Sequence, residues 1–317
     1  DTFEEPTPAK KIMNYFKNPQ TRVLLGDNLY HGRILAKSIT IPVNKENVKK
    51  YGIVAEKDFD KILDTVTLTI PKGMQSMSKT DLILLDILSN YEWDRPLYFM
   101  QRGGDVNIGI KDYLQYEGFT YKFVPIMSSV GTSNMNDVEN WQTDANKSYN
   151  YLMNKAHLES LAYDYHVDYQ NMLTFSSLVS IREIFTNTAK ALLSENADTV
   201  KAVALLDKMQ AVMDTKNYPL NMSLISSTND LAVIDAVITY FTCGESEKAM
   251  ELGSAFIREC RSHIELGFNN EQGYDLVRKN IYYLLYLVDA YKDGGASDES
   301  AKLQELVDTY VKLYQES

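Results

Sequence analysis

The sequence predicts an α+β, or α/β, N-terminal domain followed by an all-α array of helical hairpins. Three observations predict it. Seven of the eight prolines and nine of the fifteen glycines fall before residue 150. Strand-like β-branched runs alternate with helical stripes in that half, whereas the second half shows only helical spacing. The charge divides in the same way. Residues 1–150 carry 18 basic and 19 acidic side chains, and residues 151–317 carry 14 and 24, so −10 of the net −11 belongs to the second half. These shifts place a mixed domain over 1–150, a linker over 151–171 and a helical domain of about three hairpins over 172–317.

The N-terminal elements follow in order. Residues 38–43 (S-I-T-I-P-V) alternate and are β-branched, which predicts a strand, and Pro42 places it at a sheet edge. Residues 58–63 read as a short helix running into a β-branched segment over 65–70. Ser78 is an N-cap with Asp81 as its capping-box partner. Leu82, Leu85 and Leu88 form the buried stripe of the helix that follows. That helix stops before W-D-R-P at Trp93–Pro96, because a residue preceding proline disfavours helical geometry. A strand is expected over 97–100, a turn at R-G-G-D over 102–105, a helix over 110–116 ended by Gly118, and a strand over 119–126.

Six amphipathic segments make up the second half. The first pair is 174–193, with Leu178, Ile181, Phe185 and Leu192 inward, and 199–213, with Ala202, Leu205, Leu206, Met209 and Val212 inward. The second is 230–242 (Leu231, Ile234, Ile238, Phe241) and 246–264 (Ala249, Leu252, Phe256). The third is 274–293 (Val277, Ile281, Leu284, Leu285, Val288) and 298–314 (Leu303, Leu306, Tyr310). Each pair is joined by a tight polar turn, and each turn is followed by an alanine: Ala202, Ala249 or Ala301. A small residue there lets the two helices of a hairpin approach closely. This pattern resembles the tetratricopeptide repeat, although the spacings of 47 and 52 residues exceed its usual period of about 34.

Composition excludes several functions. A net charge of −11 argues against a nucleic-acid surface, which needs clustered Lys and Arg. No run approaches the roughly 18 apolar residues of a membrane-spanning helix, and residues 1–17 lack the apolar segment of a signal peptide. The chain begins at Asp1, as expected of a processed protein or a piece of a longer one. Cys243 and Cys260 read as two buried free thiols, because Cys260 would lie roughly 22 Å along its helix from the turn near Gly244.

No catalytic motif is present: neither a G-x-S-x-G elbow, a phosphate-binding loop, a dinucleotide fingerprint nor H-E-x-x-H. The D-Y-H-V-D run at 164–168 would align Asp164, His166 and Asp168 on one face of a strand, but a polar linker explains it as well. Gly26–Asn28 reads as a plain turn, and the glycine pair after Arg102 is thin support for a phosphate site. Tyrosine is the compositional oddity, with 22 against 11 Phe and 2 Trp. Seven fall within residues 274–314, either as helix-packing fillers or as a surface for sugars or peptides.

Read together, residues 38–126 carry an ordered set of motifs. These are I-P-V-N-K-E from Ile41, S-K-T-D-L from Ser78, L-L-D-I-L-S-N from Leu84, W-D-R-P-L-Y-F from Trp93, G-I-K-D-Y-L-Q-Y-E-G from Gly109 and Y-K-F-V-P-I from Tyr121. The set resembles the soluble C-terminal region of a bacterial membrane-protein family of unknown function. The N-terminal half of that family is similar to a multi-pass protein O-mannosyltransferase, and its tail ends in tetratricopeptide-like helices. The family pattern at the tryptophan tends toward N-N-W-x-R-P, and here Tyr91 and Glu92 precede Trp93.

The resemblance implies a transmembrane catalytic half preceding Asp1, so no catalytic residue is carried onto this chain. It implies the periplasmic face of the inner membrane, with the transmembrane half as partner and an acceptor protein or glycan as a further one. The expected role is a non-catalytic extracytoplasmic tail that binds acceptor or partner through the helical array. The alternative is a stand-alone envelope protein that binds or processes glycans. The candidate binding residues are Trp93, Arg95, Tyr98, Tyr113, Tyr282 and Tyr286, with no metal or cofactor expected. Arg95 is placed to satisfy helix C-terminal carbonyls or to pair with Asp86 or Asp112. The corner motif reads first as structural, and second as the lining of a groove for glycan or protein.

Overall fold

The computed structural model describes residues 6–24, 30–33, 36–74, 76–100, 108–127, 143–163, 177–215, 217–224, 231–270 and 273–316. The turns expected at 26–28 and 102–105 and the run at 164–168 lie outside these residues. The chain divides into two compact units, residues 1–144 and 145–317.

Among the described residues the first unit holds three small sheets and three α-helices, α1 (Ala9–Phe16), α2 (Lys45–Lys50) and α3 (Lys79–Ser89). In the first sheet, β4 (Ser38–Pro42) lies between β1 (Thr7–Pro8), which is parallel to it, and β5 (Thr65–Thr69), which is antiparallel. Its alternation is as read: Ile39 and Ile41 point inward against Val66 and Leu68, and all four are fully buried. The strand is central, however, not an edge. Pro42 is tolerated because β1 pairs no further than Thr40, so no neighbour on that side asks for the missing N–H. A second sheet comprises β2 (Arg22–Leu24), β3 (Tyr30–Arg33) and β6 (Ser76–Met77), all antiparallel. A third orders β7 (Tyr98–Phe99), β9 (Thr120–Phe123) and β8 (Leu114–Glu117).

The capping box of α3 is complete. The Asp81 amide donates to Ser78 Oγ at 3.2 Å, and the Ser78 amide donates to Asp81 Oδ2 at 2.9 Å. Leu85 and Leu88 are buried as expected, with Leu84 beside them. The helix expected over 110–116 is instead a 3-10 turn at Ile110–Tyr113 that runs into β8. Gly118, at φ 61°, turns the β8–β9 hairpin and does not end a helix. The short helix expected over 58–63 is likewise a 3-10 turn, at Glu56–Lys61.

The second unit begins with α4 (Ala145–Asn154) and a 3-10 turn at Glu159–Ala162. Three hairpins follow: α5 (Ser177–Asn196) with α6 (Thr199–Val212), α7 (Ala232–Thr242) with α8 (Ser246–Phe268), and α9 (Tyr274–Asp293) with α10 (Ser297–Glu316). The first helices of the hairpins also pack in a row, α5 on α7 and α7 on α9. Each hairpin turn has one residue at positive φ: Ala197 at 49°, Gly244 at 81° and Gly295 at 81°. In each turn the amide after that residue donates back to a carbonyl of the preceding helix: Asp198 to Leu192, Glu245 to Tyr240 and Ala296 to Tyr291.

The inward face of α6 is as expected, with all five residues buried, but other faces differ. On α7, Val233, Ala236, Val237 and Tyr240 are buried, whereas Ile238 is 42% exposed. This helix contacts α5, α6, α8 and α9, so it is apolar nearly all round and its periodicity does not choose a face. Leu285 of α9 is also exposed, and Val307 joins Leu303 and Tyr310 inside α10. In the third hairpin the buried small residue is Ser300, not Ala301. Ser300 lies five residues after the positive-φ position, as Ala202 and Ala249 do, and its hydroxyl donates to the Val288 carbonyl at 2.8 Å. Of the two thiols, Cys260 is buried and Cys243 only partly so, and both are free.

This register is testable with neighbouring substitutions. Ser300→Leu should destabilise the protein by about 1–3 kcal/mol through overpacking at the α9–α10 crossing. Ala301→Leu, one residue along on the exposed face, should stay within about 0.5 kcal/mol of the parent in urea unfolding.

Candidate functional site

The sequence-selected residues fall into three settings. Trp93 and Tyr113 belong to the core of the first unit. Trp93 follows the end of α3 at φ 56°, a left-handed conformation that a bulky residue adopts only when its surroundings hold it there. Its indole N–H donates to the Pro42 carbonyl at 2.8 Å, and its ring stacks on Phe123 at 5.1 Å between centroids. Tyr91 packs against both rings, 4.7 Å from Trp93 and 6.2 Å from Phe123, and donates its hydroxyl to the Arg95 carbonyl. The Tyr113 hydroxyl donates to the Thr67 carbonyl and accepts from the Thr67 amide, at 3.1 and 3.2 Å, fastening the 3-10 turn to β5. Burial raises the Tyr113 phenol above its ordinary range. Neither ring offers a face to a ligand.

Arg95 and Tyr98 lie at the surface of the same unit. Arg95 makes no ion pair with Asp86 or Asp112 among the described residues. Its side chain lines an open cavity of about 270 Å³ together with Asp86, Asn90, Tyr91 and Leu97. Tyr98 belongs to a polar cluster on one face of the third sheet. Its hydroxyl donates to Glu117 Oε1 at 3.0 Å, and the other oxygen of that carboxylate receives the ammonium of Lys122 at 2.5 Å. Lys122 is only 1% exposed, so breaking this pair would leave a buried charge. Burial, and then the Glu117 carboxylate, push the Tyr98 phenol well above its ordinary range. Gln115, Glu117 and Lys122 share this face through the β8–β9 register. The sequence signal was the alternation of polar residues along both strands.

Tyr282 and Tyr286 lie on the solvent side of α9, 40% and 37% exposed, with Leu285 between them at 39%. Their hydroxyls are hydrogen-bonded at 2.5 Å and their rings meet edge to face at 4.6 Å. The bond to Tyr282 raises the Tyr286 phenol. Asp289 continues this exposed face one turn on. The stripe is aromatic and apolar with hydroxyls at its tips, the chemistry of a protein-contact surface.

Sequence reasoning missed a buried polar cluster in the second unit. The strap after α6, residues 213–215 and 217–224, is pinned at several points. The Arg182 guanidinium of α5 donates to the Pro219 and Tyr218 carbonyls at 2.8 and 2.9 Å. The Asn217 side-chain amide donates to the Tyr163 carbonyl at 2.9 Å. Further on, Asn221 is held from three directions. Its backbone amide donates to Glu259 Oε2 at 2.7 Å. Its side-chain amide donates to Asn280 Oδ1 at 2.6 Å and Cys260 Sγ at 3.2 Å. Its Oδ1 accepts from the Ser223 amide at 3.0 Å. Asn280 in turn donates to Ser223 Oγ at 3.1 Å and to the Leu276 carbonyl at 2.8 Å. Ser223 Oγ meets His263 Nδ1 at 2.9 Å. Burial lowers the His263 imidazole below its ordinary range and raises the Cys260 thiol far above its own. Apart from the local Asn221–Ser223 and Asn280–Leu276 bonds, the partners lie 36 to 59 residues apart, beyond the reach of any local pattern.

Residues 2–147 match the family model described as TMEM260-associated domain 2. The match spans the whole first unit and stops at the start of the second, so the first unit is similar to that family. No curated protein and no solved structure matches the chain.

The buried and the exposed residues among these predict stability effects of different size. Trp93→Phe keeps a ring in the core but removes the donor to Pro42, leaving that carbonyl without this bond. It should cost about 1–3 kcal/mol in urea unfolding. Arg95→Ala and Tyr282→Ala, at exposed side chains, should each change stability by no more than about 0.5 kcal/mol.

Proposed function

We propose that the chain is a non-catalytic extracytoplasmic tail of a membrane glycosyltransferase-like protein, and that its helical unit binds acceptor protein or a partner. Two resemblances over the same residues support the context. The motifs of residues 38–126 are similar to the tail of a protein O-mannosyltransferase-like membrane family, and residues 2–147 match TMEM260-associated domain 2. On this reading the first unit docks against a transmembrane half and the chain faces the periplasm. No helix among the described residues is long and apolar enough to cross a membrane.

The observation that carries the binding role is the exposed Tyr282–Leu285–Tyr286 face of α9. Isolated exposed hydrophobics are ordinary, but two tyrosines and a leucine within one turn form a continuous patch. The hairpins favour a tetratricopeptide-like reading of the unit. Their turn residues recur at Ala197, Gly244 and Gly295, each followed five residues later by a buried small side chain, and their first helices pack in a row. Such rows present extended surfaces to peptides. The glycan-binding alternative draws nothing from Trp93, whose ring is wholly inside the core.

A photo-crosslinking residue placed at Tyr286 in the full-length protein in cells should yield adducts with an envelope protein. The same residue at Val200, which is 79% exposed away from the stripe, should not. Purified chain 1–317 should neither transfer sugar nor hydrolyse glycosides. Turnover by it would overturn the proposal, as would equal adducts from both positions.

A further inference from the structure

The exposed face of α9 changes character along its length. At its start Arg278 is paired with Asp275 at 2.9 Å. Tyr282, Leu285 and Tyr286 follow. Asp289 and Asp293 come next on the same face, because positions 282, 286, 289 and 293 are three or four residues apart in turn. Both aspartates are exposed, and neither makes an ion pair among the described residues. Besides the bond to Tyr282, the charge of Asp289 contributes to raising the Tyr286 phenol, so the carboxylate acts at that ring. The two acids stand at the end of a helix whose backbone dipole is already negative there, an arrangement that costs stability in the chain alone. In the last turn only Lys292 opposes them. The hairpin turn extends the imbalance: between residues 289 and 299 lie Asp289, Asp293, Asp298 and Glu299, against Lys292 alone.

Resting on the partner-binding role given to this face above, we propose that its occupant is a basic polypeptide segment. An apolar side chain of that segment sits on Tyr282, Leu285 and Tyr286, and Lys or Arg beyond it lies opposite Asp289 and Asp293. Charge complementarity selects this occupant. Residues 151–317 carry a net −10, so a second copy of the chain would bring like charge against like. A neutral apolar partner would desolvate both carboxylates without supplying a counter-charge. A basic segment supplies it and also offsets the negative end of the helix dipole. Spacing makes the match specific. Asp289 and Asp293 lie about 6 and 12 Å along the helix from Leu285, and an extended chain advances about 6.6 Å every two residues. An apolar residue with cations two and four positions from it therefore presents all three side chains to the face from one side of the strand. The exposed phenol rings add contact for the stem and charge of a Lys or Arg.

Fluorescence anisotropy of labelled synthetic peptides with the full chain tests the partner class. One peptide carries a leucine with lysines two and four positions from it, made in both chain orders, and its control carries glutamates at those positions. A lysine peptide should bind about fivefold tighter than its control, or more, at low salt, and the difference should shrink as salt rises. Asp289→Asn combined with Asp293→Asn should abolish the preference, and Tyr286→Ala should weaken binding of the lysine peptide. Glu56→Gln combined with Asp60→Asn, the same loss of charge at exposed positions of the first unit, should leave the preference unchanged. Equal binding of lysine and glutamate peptides would overturn the basic partner. So would failure of both lysine peptides to bind, or a preference that survives the two aspartate substitutions. None of these results touches the partner-binding reading itself, which stands or falls on the adducts formed at Tyr286 in cells.

Discussion

The N-terminal unit closes on the indole of Trp93. Three short sheets and a helix cannot each bury enough surface alone, since two- and three-stranded sheets of this size are marginal in water. Trp93 joins them. Its N–H reaches the end of β4, its ring stacks on β9, and Tyr91 fixes the chain leaving α3 against it. Holding a tryptophan at positive φ costs on the order of 1–3 kcal/mol, and the surrounding contacts must exceed that cost. The W-D-R-P motif is in this light a corner brace. The same geometry explains why Arg95 sits outside: Tyr91 binds the carbonyl of residue 95, which sets the backbone there and leaves the guanidinium in solvent.

What the sequence made legible was local. The Ser78–Asp81 box needs only three residues of spacing, and both of its hydrogen bonds form. The inward face of α6 needs only helical periodicity and a polar opposite side, and all five residues fall inside. The misreadings share a cause, which is that a neighbour distant in sequence decides the outcome. Pro42 looked like an edge signal, but the length of β1 settles where a missing N–H matters. The face of α7 is ambiguous because four helices contact it. Ser300 was passed over for Ala301 because composition marks alanine as small, whereas the turn geometry counts five residues from Gly295. Residues 114–116 continue the helical spacing expected from 110, but their pairing with β9 is settled by the hairpin turn at Gly118.

The candidate site was legible to a lesser degree. Aromatic content drew attention to Trp93 and Tyr113, which are structural, and to Tyr282 and Tyr286, which are exposed on one turn of α9. Nothing in a sequence distinguishes an aromatic residue that fills a core from one that presents a surface, because both follow helical or strand spacing. The Lys122–Glu117 pair and the Asn221–Ser223–His263–Asn280 cluster went unseen for another reason. They consist of ordinary polar residues whose meaning comes from burial, and burial is a property of the folded chain.

The strap has a consequence for how the helical unit comes apart. In an array where each repeat touches only its neighbours, stability is a sum of modules, and the ends can fray independently. Here one segment is gripped by Arg182 in the first hairpin, by Glu259 in the second and by Asn280 in the third. Closing those contacts draws together residues up to 59 positions apart, an entropic cost met once for the whole set. Losing any one hairpin would strip strap groups of these partners: the Tyr218 and Pro219 carbonyls of the Arg182 donor, or the Asn221 amides of an acceptor. The three hairpins are therefore bound into a single cooperative unit, and an array that looks modular melts as one body.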